Sequence, residues 1–178
     1  MDVVKLLVGQ HEQIKHLLQE VLDTTGEDRE AAFFELRRML AVHETAEEEI
    51  VHPRARRNLG DGDPLADARI REERMAKQQL VDLEELDVDS AEFVEKFADL
   101  RVAVLSHAQA EESEEFPRLN DDLDDKQLER MTAAVRLAES VAPTRPHPGV
   151  ELAGEHALAG PFAAMLDRAR DLMTKPAR

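Results

Sequence analysis

Helix breakers in this chain are few and gathered into clusters, and that distribution confines it to long helices. Eight Pro and seven Gly occur in 178 residues. Between the clusters, apolar residues recur every three or four positions. The spacing predicts a first helix from Val3 to Leu22, closed by Asp23-Thr24-Thr25-Gly26. A second runs from Asp28 or Arg29 to Arg57, ahead of Gly60-Asp61-Gly62-Asp63-Pro64. A third follows Pro64 to about Leu86, a fourth spans Ala91 to Asn120, and a fifth spans Asp125 to Val141. Period-two alternation is missing, so no strands are expected and the fold class is all-α. Asp121–Asp125 reads as a helix break and N-cap. Beyond it, Pro143, Pro146 and Pro148 exclude a helix. A last helix is expected from Gly160-Pro161 onward, with a short apolar face that docks on the rest.

Each of the first four helices carries an apolar seam, and ionisable residues interrupt all four. The first seam is Leu7, His11, Ile14, Leu18; the second is Leu36, Leu40, His43, Glu47, Ile50. The third is Ala66, Ile70, Glu73, Lys77, Leu80, and the fourth is Phe93, Phe97, Leu100, Val104, His107, Glu111. The second and fourth interruptions are copies of one motif. His, Ala, Glu, Glu and Pro recur at the same offsets in His43–Pro53 and His107–Pro117. A His and a Glu four apart lie one turn from each other on one face, within reach of the same ion. Together with His11 and Glu73, these helices offer three imidazoles and three carboxylates to a common interior. Buried carboxylates without partners cost several kcal/mol each. Two divalent ions remove that cost, and mixed nitrogen and oxygen donors suit iron, with manganese as another fit. Helical bundles build di-metal sites in this way.

Composition narrows the function classes. The net charge is −16, with 23 basic residues against 39 acidic ones, which repels phosphate backbones and argues against nucleic-acid binding. Cys, Tyr and Trp are absent, which removes disulfides, thiolate ligands and tyrosyl radicals. Met1-Asp2-Val3-Val4-Lys5 lacks the pattern of a signal peptide, and no apolar stretch suits a membrane span, so a cytoplasmic protein is expected. Of the other histidines, His16 lies off the seam and His147 and His156 fall in loops. His52 aligns with Phe116 and is expected to fill an aromatic packing slot. Glu48, Glu49, Glu114 and Glu115 read as solvated helix charges.

The doubled His-x3-Glu-Glu…Pro motif, with a lone His on a preceding helix, resembles the hemerythrin-like (HHE cation-binding) domain over residues 3–140. The tail from Arg145 is similar to the extension of actinobacterial members. The resemblance implies an up-down four-helix bundle with an additional C-terminal helical extension. It divides the chain into 1–141, the bundle and its following helix, and 142–178, a Pro-rich turn and docking helix. It also implies a cofactor of two iron ions, oxo- or hydroxo-bridged, and a monomer or weak homo-oligomer.

Mapped residue by residue, the resemblance makes His11, His43, Glu47, His107 and Glu111 ligands, with Glu112 as an alternative to Glu111. Glu73, or its neighbour Glu72, and Lys77 stand where oxygen carriers place two histidines. Anionic ligands favour ferric iron, and fewer ligands leave open positions for H2O2 or O2. The expected activity is catalase-like dismutation of peroxide, with Glu73 or a bridging hydroxide moving protons and Lys77 near the bound peroxide or reaching solvent. Reversible O2 or nitric oxide binding, or iron buffering, are the alternatives.

Overall fold

The computed structural model describes residues 2–54, 64–142 and 144. Helix α1 spans Val3–Asp23 and starts at Asp2, whose carboxylate accepts a hydrogen bond from the Lys5 amide at 2.9 Å. Helix α2 spans Gly26–Ala46. Its first residue, Gly26, sits at φ +58°, a left-handed conformation that side chains disfavour. The Gly26 amide also donates to the Asp89 carboxylate at 2.9 Å. Helix α3 spans Pro64–Glu84, and α4 spans Ala91–Ala110 with the Ser90 hydroxyl capping Phe93. Helix α5 covers Phe116–Asp122, and α6 covers Asp125–Val141. Asp124 and Gln127 form a reciprocal capping box at the start of α6. No strand occurs among the described residues.

Two expected helices are interrupted where continuity was anticipated. The α2 segment passes into a π-helical turn at Glu47–Val51, and α4 passes into another at Glu111–Glu115 before α5. In each, an amide bonds the carbonyl five residues back, His52 to Glu47 and Phe116 to Glu111. Each turn abuts a proline, Pro53 or Pro117. Proline has no N–H for the carbonyl four residues back and its ring crowds that carbonyl, so a widened turn relieves both problems. Helix α3 ends at Glu84, two residues before the expected Leu86. The expected end of the second helix at Arg57 and the docking tail of 145–178 lie outside the described residues.

Helix direction follows from who packs with whom. One apolar cluster joins the end of α1 (Leu18, Val21), the start of α2 (Phe33, Leu36), the end of α3 (Leu80, Leu83) and the start of α4 (Phe93, Phe97). A second cluster joins the start of α1 (Val3, Leu7) to the far end of the α2 segment (Ala46, Val51) and to α5 (Phe116, Leu119). Helices α1 and α3 therefore run opposite to α2 and α4, an up-down four-helix bundle. Helix α6 adds Leu128, Met131, Val135 and Ala138 to the second cluster and packs across α1 and α2. Beyond it, the Thr144 carbonyl accepts from buried Arg37 of α2 at 3.0 Å. No helix among the described residues is long and apolar enough to cross a membrane.

Between the two clusters lies a slab of buried ionisable groups. His11 falls between Leu7 and Ile14, His43 and Glu47 between Leu40 and Val51, and His107 and Glu111 between Val104 and Phe116. The first cluster contains a group of aromatics: fully buried Phe97 stacks on Phe93 at 5.6 Å and meets Phe33 edge-on at 6.2 Å. Phe97→Ala is expected to lower the unfolding free energy by about 3–5 kcal/mol, measured by urea titration of metal-free protein.

Candidate metal centre

The seam residues meet in two groups that share a pair of carboxylates. Ligand atoms of His11, His43, Glu47 and Glu111 lie within 4.8 Å of one another, and so do those of Glu47, Glu73, His107 and Glu111. Glu47 and Glu111 stand in both. Their arrangement suits two ions held side by side, with these carboxylates between them. Every ligand candidate from the sequence is thereby brought to one interior.

Three imidazoles are aimed by partners on their outer nitrogen. The Nδ1–H of His11 donates to Glu112 at 2.8 Å, that of His43 to the Gln10 side-chain oxygen at 2.8 Å, and that of His107 to Glu72 at 3.0 Å. Carboxylate and amide oxygens only accept, so Nδ1 carries a proton and Nε2 is the nitrogen that faces inward. There, Nε2 of His11 lies 3.3 Å from Glu111, Nε2 of His43 lies 3.2 Å from Glu47, and Nε2 of His107 lies 3.3 Å from Glu111. Metal-ligating histidines are held this way, with the outer nitrogen fixed and the inner one free. The geometry also separates the adjacent carboxylates: Glu73 and Glu111 point into the interior, whereas Glu72 and Glu112 stand outside and orient histidines.

The polar atoms fit a metal. Both carboxylate oxygens of Glu47 and of Glu111, Oε2 of Glu73, and Nε2 of His11 and His107 are buried without a hydrogen-bond partner. Such orphans are rare in folded proteins and mark a missing partner. Without an ion, burial and the neighbouring Glu111 charge push the Glu47 carboxyl well above the usual range. Burial opposes ionisation of Glu111 too, but His107 outweighs it and holds that carboxyl well below. One proton thus serves two facing carboxylates. Burial and the charge of His11 push His43 down to about 3, the neutral state that a ligand needs.

The structure corrects three readings. His52 fills no aromatic slot: its Nε2 contacts Glu73 and its Nδ1 lies 3.1 Å from Glu115. Burial works against a charge there, yet Glu73 and Glu115 raise the His52 pKa well above its ordinary value. Glu115 is buried and forms a third group with His52 and Glu111. Glu48 is buried as well and pairs with Lys77, which therefore does not reach solvent. The first π-turn accounts for His52: its extra residue moves the seam one position on, so the residue five after Glu47 returns to the interior. A strict 3.6 period misses His52, whereas Glu115, four after Glu111, keeps the regular spacing. The repeated Pro53 and Pro117 was the available signal.

A further residue, Glu44, had no place in the seam reading. It lines a small cavity beside the centre with His11, His43, Glu73, His107 and the apolar Ile14, Leu40, Ala76 and Val104. Its accessible volume is about 20 Å³, room for one water-sized molecule. One Glu44 oxygen is buried without a partner. Burial, only partly offset by Lys77, pushes the Glu44 carboxyl up to about 8.

Comparison with known proteins shows the family and the fold. The family model for the hemerythrin HHE cation binding domain matches residues 2–119. An uncharacterized hemerythrin-like protein of Schizosaccharomyces pombe is 27% identical over 76% of this chain and 68% of its own length. A protein of Nostoc named as a DNA nickase is 25% identical over 79% of this chain but only 40% of its own length. In fold, the chain is similar to the crystal structure of a hemerythrin HHE cation binding domain-containing protein of Mycobacterium kansasii. The TM-score is 0.68 at 20% identity, over 94% of this chain and 99% of that one.

The raised Glu44 pKa has a signed consequence for the metal-free protein. Between the unfolded value near 4.5 and the folded value near 8, the folded state holds a proton that the unfolded state has lost. Stability therefore falls as pH rises through that window. Glu44→Gln keeps the neutral shape, and it is expected to flatten the decline by about 1.4 kcal/mol per pH unit, read from urea titrations at pH 5 to 8.

Proposed function

The chain belongs to the hemerythrin HHE cation-binding domain family, and on that premise we propose that it holds two iron ions and dismutates hydrogen peroxide as a catalase does. His11 and His43 would hold one ion, Glu73 and His107 the other, and Glu47 and Glu111 both. When bound, the two irons would supply a two-electron couple, taking two electrons from one peroxide and returning them to the next. One H2O2 leaves as O2 with two protons released; another takes up two protons and two electrons and leaves as two waters.

The observation that carries this reading is the Glu44 carboxyl on the wall of the small cavity. Dismutation needs a group that accepts and returns protons where the ligand sits. In the metal-free protein burial pushes the Glu44 carboxyl up to about 8, one of its oxygens is unpartnered, and water is nearly excluded around it. Glu73 supports the same step, with one oxygen on His52 and the other free inside. Lys77, paired with Glu48 and near enough to feel the Glu44 charge, keeps the wall from accumulating negative charge. The apolar remainder of the cavity also suits O2 or nitric oxide, the alternative reading. Nicking of DNA does not transfer to this chain, because its charge of −16 repels a duplex.

Metal analysis is expected to find two irons per chain. Glu47→Ala or Glu111→Ala is expected to lose both ions together, since each residue serves both groups. Iron-loaded protein is expected to evolve O2 from H2O2 well above the rate of free iron. Glu44→Gln is expected to lower that rate by about 10²–10⁴-fold with the iron content unchanged. A rate no higher than free iron's would end the catalase reading, and stable reversible O2 binding after reduction would replace it.

A further inference from the structure

Helix α6 lies beyond residues 2–119, where the family model matches, yet it touches the centre through one side chain. Glu139 accepts a hydrogen bond from the Gln10 amide nitrogen at 2.5 Å, and the Gln10 oxygen accepts from Nδ1 of His43 at 2.8 Å. The three residues also line one surface groove. We propose that Glu139 is a positioning residue that acts through Gln10 to fix the His43 proton on Nδ1, leaving Nε2 free to take a metal ion.

The argument is one of polarity. A metal-ligating imidazole carries its single proton on the nitrogen away from the ion. A glutamine amide is ambiguous in this respect: its oxygen accepts, its nitrogen donates, and a half-turn exchanges them. If Gln10 presented its NH2 to His43, the ring would have to accept at Nδ1 and carry its proton on Nε2. That form cannot ligate. A carboxylate removes the ambiguity, because ionised Glu139 only accepts and so draws the NH2 toward itself. The oxygen is then left for His43. His11 and His107 have no such relay and need none, since Glu112 and Glu72 contact them directly as acceptors. His43 is the one imidazole of the three whose outer partner is an amide, and it is the one backed by a further carboxylate.

The inference deepens the metal reading for the His43 position, but its first test does not need iron. Nitrogen NMR of the metal-free protein is expected to report His43 as the Nδ1–H tautomer in the wild type. In Glu139→Ala a substantial Nε2–H population is expected. Glu139→Gln can still accept through its own amide oxygen and is expected to restore the wild-type tautomer. Val135→Ala, which loosens α6 at a fully buried contact without touching the relay, is expected to leave the tautomer unchanged. With iron(II) as the probe, Glu139→Ala is expected to weaken retention against a chelator about 10-fold, and Glu139→Gln to recover most of it. A wild-type tautomer in Glu139→Ala, or the same change in Val135→Ala, overturns the proposal. Failure of the wild type to bind iron would instead count against the di-iron reading, with the tautomer result still deciding the relay.

Discussion

Desolvation of charge is the constraint on which the rest of this structure depends. Glu47, Glu73, Glu111 and Glu115 are each nearly inaccessible, and they sit in a slab between two apolar clusters. Water cannot serve their oxygens there, and protein donors serve only some of them. Paired ions of opposite charge lose less to burial than isolated ones, and a multivalent cation compensates more completely than any side chain. His52 and Lys77 neutralise the periphery of the slab, at Glu73, Glu115 and Glu48. In the middle, all four oxygens of Glu47 and Glu111 are buried without a hydrogen-bond partner, and that space is left for metal.

The flanking clusters do more than hide this slab. They fix four helices at a separation that side chains of His and Glu can span, and they place the two copies of the motif opposite each other. Each copy meets the centre with the same local distortion, a π-helical turn after its first Glu. Such turns cost hydrogen-bond quality and are kept where they re-aim side chains. Here they bring His52 and Phe116, each five after the first Glu of its turn, into the interior, where a regular helix would have turned them aside. The two halves are not equivalent, because His52 of one copy holds the place of Phe116 in the other, and Phe116 stacks on His11 at 5.7 Å. A charged ring braces the Glu73 side of the centre and an apolar ring the His11 side.

Orientation is handled by a separate layer. Glu112, Gln10 and Glu72 each hold the outer nitrogen of a histidine, so the inner nitrogens are fixed before any ion arrives. Pre-orientation of this kind lowers the entropy lost on binding and keeps the three rings from turning to satisfy one another. The polar layer is continuous with α6 through Glu139, so the helix beyond the bundle contributes to the centre as well as to the second apolar cluster.

Much of this was legible in the residues themselves. Clustered Pro and Gly delimited the helices; the α6 limits Asp125 and Val141 match those read from spacing, and its cap Asp124 falls within the expected break at Asp121–Asp125. Seams of period 3.6 put His11, His43, Glu47, Glu73, His107 and Glu111 on inward faces because local geometry alone sets which face a residue shares. The family pattern then supplied the bundle. What only the tertiary structure decided were matters of contact between distant segments. Glu44 and Glu48 became wall and ion-pair residues because α3 brings Lys77 to them, and His52 became a charged brace because Glu73 and Glu115 converge on it. Gln10 joined Glu139 across 129 positions of sequence. Periodicity describes a helix one residue at a time, whereas hydrogen-bond polarity and charge compensation belong to pairs, and pairs exist only once the helices have packed.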